Sequence, residues 1–326
     1  MGLQKALTTK MLRNVACLSL IAAAALSVPC IHVGGHGKSV TTAFEHAVIV
    51  WDSKRGIEHF IRTAEFETNA KDFGFMVPTP SVPELAAADP AIFHTLDGIV
   101  DKKLSMISKG ATAGSADATN AFGEVEVLKQ QTVAGYDATV LKATSAGAAE
   151  TWLKENGYSV TDSAREWLDP YVKKGWSITA FKIANVGAGH ASLKPVRMSF
   201  ATDKPFYPYR EPRQERVGGL PRELELYVLS DDSVAGQFKG QGWSVQPTWT
   251  GELDSDERTR VASVLGKIEA QPAHLTVFND HSNPRDGSDD VYFVTEQGSA
   301  ANFGWLLPVV GLGAVAMYLL ARRRHS

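Results

Sequence analysis

The stretch that decides the fold is Val40–Thr68, VTTAFEHAVIVWDSKRGIEHFIRTAEFET. Its first half closes on β-branched and aromatic residues (Val48, Ile49, Val50, Trp51), and Ser53-Lys54-Arg55-Gly56 then supplies turn chemistry. From Ile57 the chain alternates in part, with Phe60, Arg62, Ala64 and Phe66 sharing one parity. Two runs of strand formers around one short turn predict a β-hairpin over 40–68.

Further along, Asp72–Val77 reads as a short apolar strand stopped by Pro78, Pro80 and Pro83, since proline cannot donate to a ladder. Ala91–Val100 follows Asp89-Pro90 and sets Ile92, Phe93, Leu96, Ile99 and Val100 on one side of a helix. Residues 108–121 carry no large apolar side chain and read as a flexible loop, either an insertion in one sheet or a divide between subdomains. Gly123–Lys129 and Tyr136–Ala143 look like a second hairpin-like pair around Ala134-Gly135. Helices are expected at Ala148–Asn156 before Gly157 and at Ser163–Lys174 before Gly175. A further helix at 255–269 starts behind Asp254, with Glu257 placed for a capping box. Strands are expected at 176–184, 194–203, 222–230, 273–279 and 290–296. The fold class is α+β, an antiparallel β-rich body with a few helices.

The two ends differ from this body. Lys5, Lys10 and Arg13 precede the apolar run Val15–Val28, the layout of a secretory signal peptide over residues 1–30 with cleavage near Cys30. Phe303–Ala321 carries no formal charge and is just long enough, at 1.5 Å rise per residue, to cross a ~30 Å hydrocarbon core. Trp305 and Tyr318 lie near its ends as interfacial aromatics, and Arg322-Arg323-Arg324 would stay cytoplasmic, in the tail 322–326. A buried helix, or a sorting signal removed after export, are the rival readings of this segment. The expected protein is single-pass, in the cell membrane, with 31–302 outside the cytoplasm.

Charge narrows the partners. Removing the six terminal cations from 33 basic residues leaves 27 against 36 acidic ones, a net of −9 for the body. That balance lacks the basic footprint of a nucleic-acid binder. The 2 cysteines, Cys17 and Cys30, both lie at the N-terminus, so neither a disulfide scaffold nor a Cys-rich metal site is expected.

Enzyme signatures mostly fail. Gly37-Lys38-Ser39 resembles the end of a phosphate-cradling loop, but His32 stands where the earlier glycine is required. Gly187-Ala188-Gly189 begins a dinucleotide pattern whose third glycine position is Ser192. No Gly-x-Ser-x-Gly elbow or His-Glu-x-x-His motif occurs. His46 and His59 could face each other across the first hairpin, and with Asp280 and His281 they are the first suspects for an unrecognised catalytic set. Asp280, Asp286, Asp289 and Asp290 form an oxygen-rich segment that suits a hard cation, although it fits no calcium-loop spacing and a solvated turn is the plainer reading. No cofactor is implied. Trp243, Trp249, Phe206, Tyr207 and Tyr209 sit in expected loops, where they would offer stacking platforms to a glycan or protein unless they plug the end of a sheet core.

The run Ala70-Lys71-Asp72-Phe73-Gly74-Phe75-Met76-Val77-Pro78-Thr79-Pro80-Ser81-Val82-Pro83 resembles the signature of an uncharacterised bacterial family, domain of unknown function 2330. Trp152-Leu153 through Asn156-Gly157-Tyr158, Tyr171-Val172, Gly175-Trp176 into Ala180-Phe181-Lys182, and the strand near Pro195 that leads to Tyr207-Pro208 are similar to it as well. The resemblance covers roughly 40–230 and implies an exported protein with a C-terminal membrane segment. It implies no activity. Its recurrent residues here, Asp72, Phe73, Pro78, Pro80, Pro83, Trp152, Gly157, Tyr158, Gly175 and Trp176, are residues of turns and packing. The function expected is a non-enzymatic envelope module for a protein or glycan partner, anchored in membrane lipid. An extracytoplasmic hydrolase or metal-dependent enzyme is the alternative.

Overall fold

The computed structural model describes residues 32–34, 40–68, 73–108, 130–143, 145–156, 158, 162–183, 189–192, 194–212 and 223–295. The hairpin forms with the expected bounds. β2 (Val40–Asp52) and β3 (Ile57–Thr68) pair antiparallel, and Gly56 closes their turn at a φ of 62° that a side chain would strain. This hairpin is the centre of an eight-stranded sheet. Its order is β15 (Pro247–Glu252), β16 (His274–Asp280), β12 (Glu223–Ser230), β2, β3, β10 (Val196–Ala201) and β5 (Glu84–Ala87), with β9 (Gly189–Ser192) on the far end of β3.

A second sheet has five strands in the order β1 (His32–Gly34), β4 (Phe73–Thr79), β8 (Ser177–Ile183), β7 (Tyr136–Leu141) and β6 (Gln130–Val133). A third has four: β11 (Phe206–Tyr207), β17 (Val291–Thr295), β13 (Val234–Phe238) and β14 (Gln241–Gly242). Every described pairing is antiparallel except β2 with β12. The antiparallel-rich α+β reading therefore stands.

Strand alternation sorts the side chains of the large sheet onto two faces. Val48, Val50, Ile61, Tyr227, Leu229 and Val277 pack beneath α1 (Ala91–Ser108) and α4 (Ser255–Leu265). Ala47, Ile49, Phe60, Leu226, Val228 and Phe278 face the other two sheets in a shared core. The second sheet turns Met76, Ile178 and Ala180 outward, beneath α2 (Ala146–Glu155) and α3 (Asp162–Lys173). The layers thus run helix, sheet, sheet, helix. Burying each such aliphatic or aromatic side chain contributes roughly 1.5–3 kcal/mol before ordering costs.

Local chemistry explains the boundaries. Asp254 caps α4 through Glu257 N, and the Glu257 carboxylate accepts from Asp254 N at 2.9 Å, completing the expected box. Ala134 and Gly135, at φ 53° and 90°, form the tight turn between β6 and β7.

Three expectations need correction. β4 does not stop at Pro78 but continues to Thr79, because β1 covers only Phe73–Phe75 and leaves the rest of β4 paired on the β8 side alone. α1 runs eight residues past Val100 to Ser108, since Leu104 continues its apolar stripe. β11, β13, β14 and β15 fill the interval where the sequence suggested loops.

The leader 1–30, the segment 109–129, Asp72, Gly157, the span 303–321 with Trp305 and Tyr318, and Arg322, Arg323 and Arg324 lie outside the described residues. Among the described residues no helix is long and apolar enough to cross a membrane.

Candidate functional site

Four buried charged side chains, Glu211, Asp280, Arg285 and Asp290, lie in one seam, where segments 205–212 and 280–290 meet α3 beside the third sheet. Its first half is built on Arg285, whose side chain is 1% exposed. Arg285 Nε lies 2.7 Å from Asp280 Oδ2, and Nη1 lies 3.5 Å from Glu211 Oε1. Tyr209 donates to Asp280 Oδ2 at 2.8 Å, and the guanidinium stands 5.1 Å from the Tyr209 ring centre. Burial disfavours the guanidinium charge, but the Asp280 and Glu211 carboxylates outweigh it and hold Arg285 above its usual pKa. The Glu211 side chain leaves no room for a Cβ at Gly287, which would lie 2.8 Å from Glu211 Cγ.

The second half is built on Arg210 and Asp290. Arg210 donates to Asp289 Oδ1 and to the Ser288 carbonyl, both at 2.5 Å, while its own carbonyl accepts from Trp167 Nε1 at 2.9 Å. Asp290 is fully buried and accepts from Tyr171 Oη at 2.7 Å and from Arg210 N at 3.4 Å. Lys174 Nζ lies 3.9 Å from Asp290 Oδ2 and 4.8 Å from the Trp176 ring centre. Burial pushes the Asp290 carboxyl up to about 6, against the pull of the Tyr171 hydrogen bond, Arg210 and Lys174. At the rim, the Ser288 hydroxyl at 2.5 Å and Lys239 hold Asp286 below the usual carboxylate range.

The four aspartates therefore turn toward different cations and hydroxyls rather than toward a common point. Among the described residues no three His, Cys, Asp or Glu side chains are placed to hold one metal ion.

The catalytic suspects do not converge. His46 stands opposite Thr63 and His59 opposite Val50, so the two histidines do not face each other; four residues of strand put them about 13 Å apart. His46 packs edge-on against Phe93 at 5.4 Å, with Nδ1 3.7 Å from Glu225. His281 is exposed, 3.9 Å from Glu223. Since Glu223 and Glu225 share one face of β12, these two His–Glu pairs are neighbours, a juxtaposition that needs the β2–β12 and β12–β16 registers to be seen. Asp280 points into the seam instead, away from His281.

Sequence reasoning missed Ser199, whose Oγ lies 2.8 Å from His59 Nδ1. That pair looks like a nucleophile beside a base. Burial, with Arg197 and Arg55 nearby, drives the imidazole down to about 4, and its Nε2 makes no hydrogen bond among the described residues. A base weakened in that direction, with no carboxylate hydrogen-bonded to it among the described residues, is poorly suited to activate a hydroxyl.

A surface cleft of about 250 Å³ opens beside the first hairpin turn, lined by Trp51, Asp52, Arg55, Asp231, Glu269 and neighbours. Three of its charges are spent on each other, with Arg55 2.6 Å from Asp52 and 2.5 Å from Glu269. The aromatic platforms also dissolve. Phe206, Tyr207, Tyr209 and Trp243 are at most 3% exposed and belong to the central core, and Trp249 packs against the helix-covered core. Strands carry some of these rings inward: Phe206 and Tyr207 form β11 of the third sheet, and Trp249 lies in β15 of the large one.

Comparison with known proteins now bears on the chain. The model of an uncharacterised family of proteins conserved in bacteria, domain of unknown function 2330, matches residues 23–293. The chain belongs to this family. No curated protein matches it. The crystal structure of baculovirus P35 is a distant structural likeness, with 8% identity, a TM-score of 0.38, and coverage of 78% of this chain and 91% of that one. A likeness that weak carries no argument.

Among the described residues, several that resemble the family signature lie in turns or packing contacts. Phe73 and Pro78 lie in β4, while Pro80 and Pro83 flank a loop tied by Thr79 Oγ1 to the Ser81 carbonyl at 2.8 Å and by Ser81 Oγ to the Ala201 carbonyl at 2.9 Å. Trp152 lies 6.1 Å from Tyr158, whose ring covers Gly74. Gly175, at φ 71°, turns the chain from α3 toward Trp176, which abuts Tyr171 and Phe206 at the seam.

Proposed function

We propose that this family member is a non-enzymatic extracytoplasmic module, held at the cell membrane by 303–321, that binds a protein or glycan partner. The observation that carries the reading is that both guanidinium groups of the seam are engaged within the chain. Arg285 and Arg210 each face carboxylates and carbonyls of the same chain, so these cations act as struts between layers. Photo-crosslinking of the full-length chain in its native envelope should recover a specific partner or polymer, and recovery of none would refute the binding role. A phosphatase fusion after Gln297 should be active, and an inactive one would refute the topology.

The His59–Ser199 contact favours a second reading, an extracytoplasmic hydrolase. A fluorophosphonate probe should leave the chain unlabelled if the module reading holds. Labelling that disappears in Ser199→Ala would replace it with the hydrolase.

A further inference from the structure

Asp290 is the side chain on which three segments distant in sequence meet. Tyr171 reaches it from α3, the Arg210 amide from segment 205–212, and its own loop leads directly into β17. Both contacts fall on Oδ1, while Oδ2 is buried without a hydrogen bond among the described residues. We propose that Asp290 is a proton-operated latch that clasps α3 to segment 205–212 when it is neutral and loosens that clasp when it ionises.

The groups around it support this. From α3 and its end come Tyr171 and Lys174, from segment 205–212 Arg210, from its own loop Asp289, and from β17 Tyr292. Arg210 is already engaged by Asp289 and Ser288, which leaves Lys174, 40% exposed and 3.9 Å away, as the cation nearest Oδ2. Ionisation thus spreads charge onto a buried oxygen with no hydrogen-bond donor among the described residues, whereas protonation turns that oxygen into a hydroxyl and keeps both Oδ1 contacts. Tyr292 stays neutral throughout, because burial pushes it up to about 12.

The sign follows from the shift. The carboxyl moves from an ordinary 3.8 to about 6 in the closed seam, so its contribution is complete below 3.8 and lost as pH rises through 6. For a body facing the outside medium, which rests on the proposed export, that window is one the surroundings can cross. The latch itself does not need the export reading.

The test is hydrogen exchange of the full-length chain in detergent, corrected for the intrinsic pH dependence of exchange. Amides of Tyr171–Gly175 and Tyr207–Glu211 should lose about tenfold in protection between pH 5 and pH 7.5. Asp290→Asn should remove that dependence and stay protected at pH 7.5. Lys174→Met, a change at a half-exposed side chain, should move the midpoint upward and so serves if the first variant does not fold. Protection that is flat or rises with pH in the parent chain, a pH profile unchanged in Asp290→Asn, or a midpoint unmoved in Lys174→Met would each overturn the latch. A failure of the Gln297 fusion would leave all three results standing and strike only the topology.

Discussion

Arg62 offers the sharpest test of how the central core is held. Its side chain is 2% exposed, its Nε lies 2.9 Å from Glu45 Oε1, and Glu45 is 1% exposed. The guanidinium also stands 4.6 Å from the Phe75 ring centre, so it bridges the large sheet and the second one. Arg62→Met keeps the length of the stem but removes the cation, leaving the Glu45 carboxylate buried without its charge partner. Breaking a buried pair from one side costs about 3–5 kcal/mol, a large share of a typical total of about 5–15. At about 2–4 °C per kcal/mol, the melting temperature should fall by roughly 10 °C. The double variant Arg62→Met/Glu45→Leu removes both charges and should recover to within about 1 kcal/mol of the parent, because desolvation of the pair then no longer opposes folding. Urea denaturation followed by tryptophan fluorescence measures both, and the double-mutant cycle isolates the coupling. A single variant that costs under ~1 kcal/mol, or a double variant as damaged as the two singles combined, would refute the ion pair as a coupled core element.

Three other outcomes follow from the same geometry. Glu58 is fully buried, its Oε2 accepting from Phe206 N at 2.8 Å, and burial holds its carboxyl well above the usual range. Its contribution is present at low pH and lost as pH rises, so Glu58→Gln should raise the melting temperature at pH 8 and change it little near pH 4; an equal shift at both would contradict a neutral carboxyl. A Cβ at Gly74 would lie 2.6 Å from the Phe181 carbonyl and 2.7 Å from the Tyr158 ring, so Gly74→Ala should cost about 1–3 kcal/mol by urea denaturation, and a neutral result would mean that the α2–α3 layer yields easily. Asp254→Ala removes the α4 cap and should cost about 1 kcal/mol, with faster amide exchange confined to Ser255–Arg258; loss spread over the whole helix would show the cap to be more than a terminal device.

What the sequence made legible was local, and most of what it hid was not. The first hairpin was readable because its strand formers and turn are contiguous, and the α4 start because a cap and its box partner lie three residues apart. The third sheet was not, because two-residue strands such as Phe206–Tyr207 and Gln241–Gly242 have no period to detect. The parallel pairing of β2 with β12 sets His46 beside Glu225, 179 positions along the chain, while the β12–β16 pairing sets His281 beside Glu223. The seam failed for a different reason. A segment rich in Asp, Ser, Asn and Gly has the composition of a solvated turn, and nothing in it announces that Arg285, Arg210 and Tyr171 will close over its carboxylates. Of those partners only Arg285 belongs to the segment itself; Arg210 comes from a distant loop and Tyr171 from a helix of another layer. Burial alone separates a structural aspartate such as Asp280 from a hydrated one, and burial is a property of the assembled layers. The same argument explains why the residues that resemble the family signature are glycines, prolines and aromatics. Gly74 lets Tyr158 lie flat on β4, Gly175 turns α3 toward Trp176, and Trp176 and Tyr207 wall the seam. Such residues hold the layers at the spacing in which the charges inside can find one another.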